Sequence, residues 1–306
     1  MNGIRPRHAL SAAVVVVIWG VNFVIIDVAL REFPPLLLAS LRFALTAIPA
    51  ILFVRRPPIA WRWIVAVGLF LGVGYFGLLF VGIHLGMPAG LSSLVLQSQA
   101  MFTLLMAAAL LGERLGARHV AGTAVATGGL VLIAAAGGGS VPLGPFLLVI
   151  ASAVCWAASN VCTRVSGAPA GLGLLVWSSV IPPLPLAAMS YAVEGRDEVT
   201  RALTSFEPSA LLALVYLVGL ATLVGFGLWN SLLRQYPAGL VAPFSLAVPV
   251  VGMSAAWIWL GERPGAAELT GALVILLGLA LVVLPARRGR PEAPPPVPHE
   301  QETHSP

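Results

Sequence analysis

Several groups of side chains in this sequence have the types and spacing to bind a small polar solute within an apolar setting. Trp19 and Asn22 are three residues apart and share one face of a helix. Ser152, Trp156, Asn160 and Thr163 form a stripe of the same kind later in the chain. Gln97 and Gln99 lie in another apolar run with Ser92, Ser93 and Thr103. The two glutamines are about 200° apart on an ideal helix, so both cannot face one cavity squarely, and one is expected to bond a neighbouring helix. Ser245 stands four residues before Pro249, which has no N–H to donate, so the Ser245 carbonyl is released at that point. Amides and hydroxyls both donate and accept, which suits a solute bearing an ammonium and a carboxylate. The competing explanation is helix-to-helix hydrogen bonding, worth about 0.6–2 kcal/mol per bond. A Trp beside an Asn at matching places in two parts of the chain favours a shared central cavity.

Two charges also fall inside apolar runs. Asp27 lies seven residues before the turn at Pro34-Pro35 and Arg42 seven after it, so consecutive antiparallel helices would hold them at similar depth. An unpaired charge deep in a membrane costs roughly 2.5–3.5 kcal/mol on insertion scales, and an Asp27–Arg42 ion pair is the expected arrangement, with proton coupling through Asp27 as its alternative. Tyr75, Tyr216, Trp229 and Asn230 are expected in interfacial belts or packing contacts. No His-Glu-x-x-His pair, Gly-x-Ser-x-Gly elbow or phosphate-binding glycine loop is present, which argues against catalysis, a metal or another cofactor. Cys155 and Cys162 are seven residues apart in one run, on the same face about two turns away, and cannot pair with each other.

The elements that must position these residues follow from composition. The chain has 306 residues, 58% hydrophobic and 9% charged, with a mean hydropathy of +0.95. That leaves too little polar surface to coat a water-soluble globule, and the expected partner is a lipid bilayer. The net charge of +5 is carried by Arg, mostly in short loops without interleaved aromatics, which disfavours nucleic acid. Apolar segments long enough for a hydrocarbon core of about 30 Å occur at 9–30, 35–54, 62–84, 88–112, 117–136, 143–163, 171–193, 208–233, 238–260 and 266–285. They lack the strict alternation of barrel strands, so the expected fold is an all-α membrane protein of ten transmembrane helices. The first run follows Arg5 and Arg7 as a signal peptide would, but it is too long and nine more follow.

The chain also repeats. At an offset of 149 residues, Pro-Ala-Gly-Leu recurs at 88–91 and 237–240, and Leu-Gly-Glu-Arg at 111–114 and 260–263. Gly116/Gly265, Ala117/Ala266, Gly122/Gly271, Val125/Val274 and Gly129/Gly278 match in the same register. The repeats are expected at 9–136 and 143–285, five helices each. With a cytoplasmic N-terminus, twelve Arg fall in inside loops and four outside (Arg31, Arg196, Arg201, Arg263). That bias predicts two inverted halves with both termini inside. The glycines of the third and eighth runs, Gly68, Gly72, Gly74, Gly77, Gly219, Gly225 and Gly227, predict close packing. Glu113 and Glu262 are read as parts of structural turns, each favouring the next helix and pairing with the following Arg. The segment 194–207 reads as a solvated connector, and 286–306, with Arg287, Arg288 and Arg290 before a Pro-rich stretch, as a disordered tail.

Trp19-Gly20-Val21-Asn22-Phe23, Leu41-Arg42-Phe43 and the two Gly-Glu-Arg turns resemble the EamA domains of the drug/metabolite transporter superfamily over residues 9–285. The stretches 88–103, 176–182 and 242–252 are similar, more narrowly, to bacterial exporters of cysteine and O-acetylserine. The resemblance implies two inverted five-helix halves, a cavity between them, spans five and ten at the periphery, and export of small metabolites across the plasma membrane. Many relatives carry Lys where this chain has Asp27, so coupling details do not carry over. Trp19, Asn22, Gln97, Gln99, Trp156, Asn160 and Ser245 are the expected cavity residues for a small zwitterion. Other readings stay open: another cargo such as a drug or an imported metabolite, a membrane-embedded enzyme, or a receptor. A nucleotide sugar would want more basic groups than Arg42. Nothing in the sequence sets the oligomeric state.

Overall fold

The computed structural model describes residues 4–136, 142–169, 171–205 and 207–283, and their secondary structure is helical throughout. The proposed tail at 286–306 lies outside the described residues. Nine helices among them are long and apolar enough to span a bilayer: α1 (Pro6–Ala29), α3 (Trp61–His84), α4 (Ala89–Leu111), α5 (Ala117–Ala136), α6 (Leu143–Ser166), α7 (Leu172–Val193), α8 (Pro208–Gln235), α9 (Ala242–Leu260) and α10 (Ala266–Val283). The tenth, α2 (Pro35–Ala50), is shorter at 16 residues, and hydrogen-bonded turns continue it to Val54.

Local chemistry sets the ends. Proline occupies the first turn of α1, α2 and α8, where its missing N–H would have no helical partner anyway. Gly112 and Gly261, the glycines of the two Leu-Gly-Glu-Arg turns, sit at φ of 69° and 71°. That left-handed cap closes α4 and α9 and suits glycine alone among the residues of the motif.

The halves are inverted, as contacts between α5 and α10 demonstrate. A Cβ on Gly122 would lie 2.7 Å from the Gly278 carbonyl, and one on Gly278 2.6 Å from the Gly122 carbonyl. Gly129 and Gly271 face each other likewise, at 2.8 and 3.0 Å. Ascending from 122 to 129 therefore meets descending positions from 278 to 271, so equivalent helices of the two halves run antiparallel. These glycines are the ones shared by the repeats, and their missing side chains let two backbones touch. Gly68 and Gly72 serve α3 in the same way against Ser178 and Pro182 of α7, and Gly74 against Cys155 of α6.

Four helices depart from regular α geometry, and the departures match between halves. Residues 68–77 of α3 and 216–224 of α8 are π-helical, while 96–98 of α4 and 242–247 at the start of α9 are 3₁₀. The connector expected to be simply solvated contains a helix, Arg196–Thr204. Its preceding Glu194 turns inward, and the backbone N–H groups of Leu36 and Leu37 donate to its carboxylate at 2.7 and 3.3 Å.

Candidate functional site

A cavity of roughly 480 Å³ lies between the halves, within the size range of small-molecule sites. Trp19 and Asn22 of α1, Gln97 and Gln99 of α4, Trp156 and Asn160 of α6, and Ser245 of α9 all line it. The floor and walls continue to Ala168, Pro169 and Gly171 in the α6–α7 loop, so the cavity reaches the face that carries the start of α1.

Both glutamines line the cavity, with the 3₁₀ turn at 96–98 between the two α-helical pieces of α4, and Gln97 also bonds a neighbouring helix, as expected of one of the two. Gln97 Nε2 donates to the Ser245 carbonyl at 2.8 Å. The carbonyl released by Pro249 is thus held by a side chain rather than left to solvent. Gln99 Oε1 accepts from Asn160 Nδ2 at 2.9 Å, and Asn160 also donates to Thr103 Oγ1 at 3.2 Å. Asn22 is 7% exposed, and its Oδ1 has no hydrogen-bond partner among the described residues.

Indole rings frame this polar set. Trp19 Nε1 donates to the Ala221 carbonyl in the π-helical stretch of α8 at 3.1 Å, in the space left by Gly225. Trp156 stacks on Tyr75 with centroids 4.9 Å apart and planes 18° apart. Ser152, grouped with Trp156 by sequence, is fully buried and donates to the Tyr75 carbonyl at 2.9 Å instead of lining the cavity. Tyr75, Trp229 and Asn230 also line it, where interfacial belts or packing contacts are the expectation from sequence; Tyr75 packs on Trp156 and Trp229 on Trp19 at its wall. Tyr216 packs as expected, its hydroxyl donating to the Ile18 carbonyl at 2.8 Å. The matching π-helical segments are the feature that sequence periodicity gave no hint of, and π distortions recur at functional sites.

The charges pair differently from the expectation. Asp27 bonds Arg31 at 3.1 Å, four residues on in the turn that follows α1 and partly in solvent. Arg42 turns away from it and lines the cavity, donating through Nε and Nη2 to Thr222 Oγ1 at 3.3 and 3.1 Å, with its guanidinium 4.2 Å over the Phe76 ring. An i,i+4 partner is reached without crossing between helices, which is why Arg31 captures Asp27.

The opposite face is closed. A Cβ on Gly20 would lie 2.6 Å from the Val251 side chain and 3.0 Å from the Gly252 backbone nitrogen, and one on Gly252 2.6 Å from Ser93 Oγ, so α1, α4 and α9 pack closely there. Glu262 does not pair with Arg263 as expected from the turn motif. Its carboxylate accepts the N–H of Ala89 at 2.7 Å and of Gly90 at 3.0 Å, capping α4 from the other half. Burial pushes the Glu262 carboxyl above its ordinary value near 4.5; the two N–H groups oppose this, and Asp27 and Glu268 add to it. Its counterpart Glu113 bonds Arg164.

Known proteins match this architecture. The chain is 44% identical over 283 residues, 90% of its length and 95% of the relative's, to a "Probable amino-acid metabolite efflux pump" of Salmonella typhimurium. A protein of the same name from Escherichia coli is 42% identical over 92% of this chain and 96% of its own. A "Probable terminal-alkyne amino-acid exporter" of Streptantibioticus cattleyicolor is 28% identical over 81% of each chain. A solved crystal structure, 24% identical, superposes with a TM-score of 0.59 over 91% of this chain and 96% of that one, a likeness of fold. The model of the EamA-like transporter family matches twice, at residues 7–135 and 144–284, one match on each of the inverted halves. With both halves matched and the fold shared, this multi-pass membrane protein belongs to the EamA-like transporter family.

Proposed function

We propose that this chain exports small amino-acid metabolites across the plasma membrane by alternating access, with the face at the start of α1 in the cytoplasm. The observation that carries the reading is the cavity itself: amide, hydroxyl and indole groups from both halves surround one space that reaches a single face. Such groups match a solute with an ammonium and a carboxylate. Sites at the interface of inverted repeats, beside irregular helix, are where transporters hold substrate. The excess of Arg in loops on the α1-start side supports a cytoplasmic assignment for that face, and the relatives' names support efflux of amino-acid metabolites. L-Cysteine and O-acetyl-L-serine are the cargo we favour, on the stretches at 88–103, 176–182 and 242–252.

The test is counterflow in liposomes containing the purified protein, preloaded with each unlabelled amino acid in turn and supplied with its labelled form. Accumulation of intact labelled L-cysteine or O-acetyl-L-serine is the expected result. Chemically altered label would indicate an enzyme, and no accumulation of any amino acid would overturn the reading.

A further inference from the structure

Arg42 presents a problem that the expected transport function does not by itself resolve. It is 3% exposed, lies within a membrane-spanning helix, and has no carboxylate partner among the described residues. Its Nη1 is buried with no hydrogen-bond partner among the described residues. A guanidinium held in that way is unfavourable unless something else completes it.

Its surroundings fix its orientation. Thr222 Oγ1 gives its own proton to the Leu217 carbonyl at 2.7 Å, which leaves its lone pairs for Arg42 Nε and Nη2. Phe76 lies against the guanidinium plane. One edge of the planar fork and one face are therefore taken, and Nη1 remains. Asn22 on the neighbouring helix supplies the complementary group, an acceptor oxygen that is likewise buried and unpartnered. Asn22 is eight residues before Leu30 and Arg42 seven after Pro35, so at 1.5 Å per residue both stand about 10–12 Å below the closed face. Gln97, eight residues into α4, reaches the same depth, and all three line the closed end of the cavity.

We infer that the Arg42 guanidinium binds the carboxylate of the transported solute through Nη1 and that Asn22 Oδ1 accepts a proton donor, the ammonium of an α-amino acid, both side chains turning from their buried positions to meet the solute. The cavity is thereby selective for carboxylates over the corresponding esters and amines. The inference rests on the amino-acid transport reading but is tested separately from it. Guanidinium is the side chain best matched to a planar carboxylate, and a low-dielectric setting strengthens the bond.

Intrinsic fluorescence provides the assay, because Trp19, Trp156 and Trp229 line the cavity. The purified protein is titrated with L-cysteine, O-acetyl-L-serine, their methyl esters, and the simple carboxylates propanoate and succinate. We expect each amino acid to bind at least tenfold more tightly than its ester. Arg42→Gln should weaken the acid to the level of the ester and leave the ester unchanged. Equal affinity of acid and ester, undiminished acid binding by Arg42→Gln, or no binding of any carboxylate by the wild-type protein each overturns the inference. If only propanoate or succinate bind, and lose affinity in Arg42→Gln, the Arg42 assignment stands and the amino-acid cargo falls. Should Arg42→Gln not yield monodisperse protein, the comparison of acid with ester on the wild-type protein decides.

Discussion

Removing the carboxylate of Glu262 should loosen the closed face by a calculable amount. That carboxylate accepts two backbone N–H groups, from Ala89 at 2.7 Å and Gly90 at 3.0 Å. Replacing a side-chain helix cap by Ala typically costs about 1 kcal/mol and up to about 2, and hydrogen bonds to a charged acceptor contribute about 1.5–3 kcal/mol. Because both donors share one partly exposed acceptor, about 2 kcal/mol is the reasonable sum for Glu262→Ala. At 1.4 kcal/mol per decade, the equilibrium between closed and open forms of this face moves by roughly 25-fold. A cysteine at Val24, which is 4% exposed and packs with Ala255 and Ala256, reports the opening by its rate of maleimide labelling, with Cys155 and Cys162 first changed to Ala. Labelling is normalised to a cysteine at the exposed position Arg201. The rate should rise by about that factor in Glu262→Ala and should not rise in Glu262→Gln, which keeps an acceptor oxygen and, like the protonated carboxyl, carries no charge into the closed face. The pH dependence has a definite sign. A carboxyl whose pKa is raised in the closed form holds its proton more tightly there, so the closed form gains stability as pH falls from the raised value towards 4.5 and loses it as pH rises through the raised value. Normalised labelling at Val24 should therefore slow on acidification, and the slowing should vanish in Glu262→Gln. Rates that differ by less than twofold between Glu262→Ala and wild type would refute the capping argument.

Three further outcomes are expected. Gly278→Ala would bring a Cβ to 2.4 Å from the Ala126 backbone nitrogen and 2.6 Å from the Gly122 carbonyl; overpacking of this kind costs about 1–3 kcal/mol. It should lower the melting temperature in detergent, while Gly219→Ala, with nothing within 4 Å, should not. Asn160→Ala removes donors to both Gln99 and Thr103, and should reduce the initial rate of amino-acid counterflow about tenfold with near-normal membrane abundance; loss of abundance with normal transport by the remaining protein would make the asparagine structural. Asp27→Asn should change thermal stability little, because an exposed pair such as Asp27–Arg31 contributes about 0–1 kcal/mol. The exchange Asp27→Arg with Arg42→Asp should recover nothing over the single changes, and recovery would restore a direct pairing of the two.

The helices and their inversion were legible because they rest on long-range composition. A span is a run of about 20 apolar residues whatever it touches, and the two Leu-Gly-Glu-Arg turns keep register because each needs a left-handed glycine to stop a helix. Trp19, Asn22, Trp156 and Asn160 could be picked out for a related reason, since a polar side chain in an apolar stripe must find a partner or a cavity. Partners themselves were not legible. Matching depth points Asp27 to Arg42, but depth does not say which way a side chain turns around its helix, and a partner four residues away is present in Arg31. The turn motif likewise points Glu262 to its sequence neighbour, whereas its donors are 172 and 173 residues distant.

Helical irregularity was the second blind spot, and it governs the cavity. Ideal periodicity put Gln97 and Gln99 on different faces, yet a 3₁₀ turn in α4 that contains no proline lets both line one space. Its equivalent in α9 did carry a signal in Pro243 and Pro249, and Gln97 bonds across to the Ser245 carbonyl within that segment. The π-helical stretches of α3 and α8 repeat this pairing: the Tyr75 carbonyl accepts Ser152 and the Ala221 carbonyl accepts Trp19. In each case an irregular carbonyl on one helix is satisfied by a side chain from another, so neither partner's sequence alone encodes the distortion. The same rule explains why equivalent residues behave differently in the two halves. Glu262 caps a helix across the closed face while Glu113 bonds Arg164 beside the open one. Sequence symmetry fixes which groups are available at each face, and the conformation adopted by the pair of halves decides which of them meet.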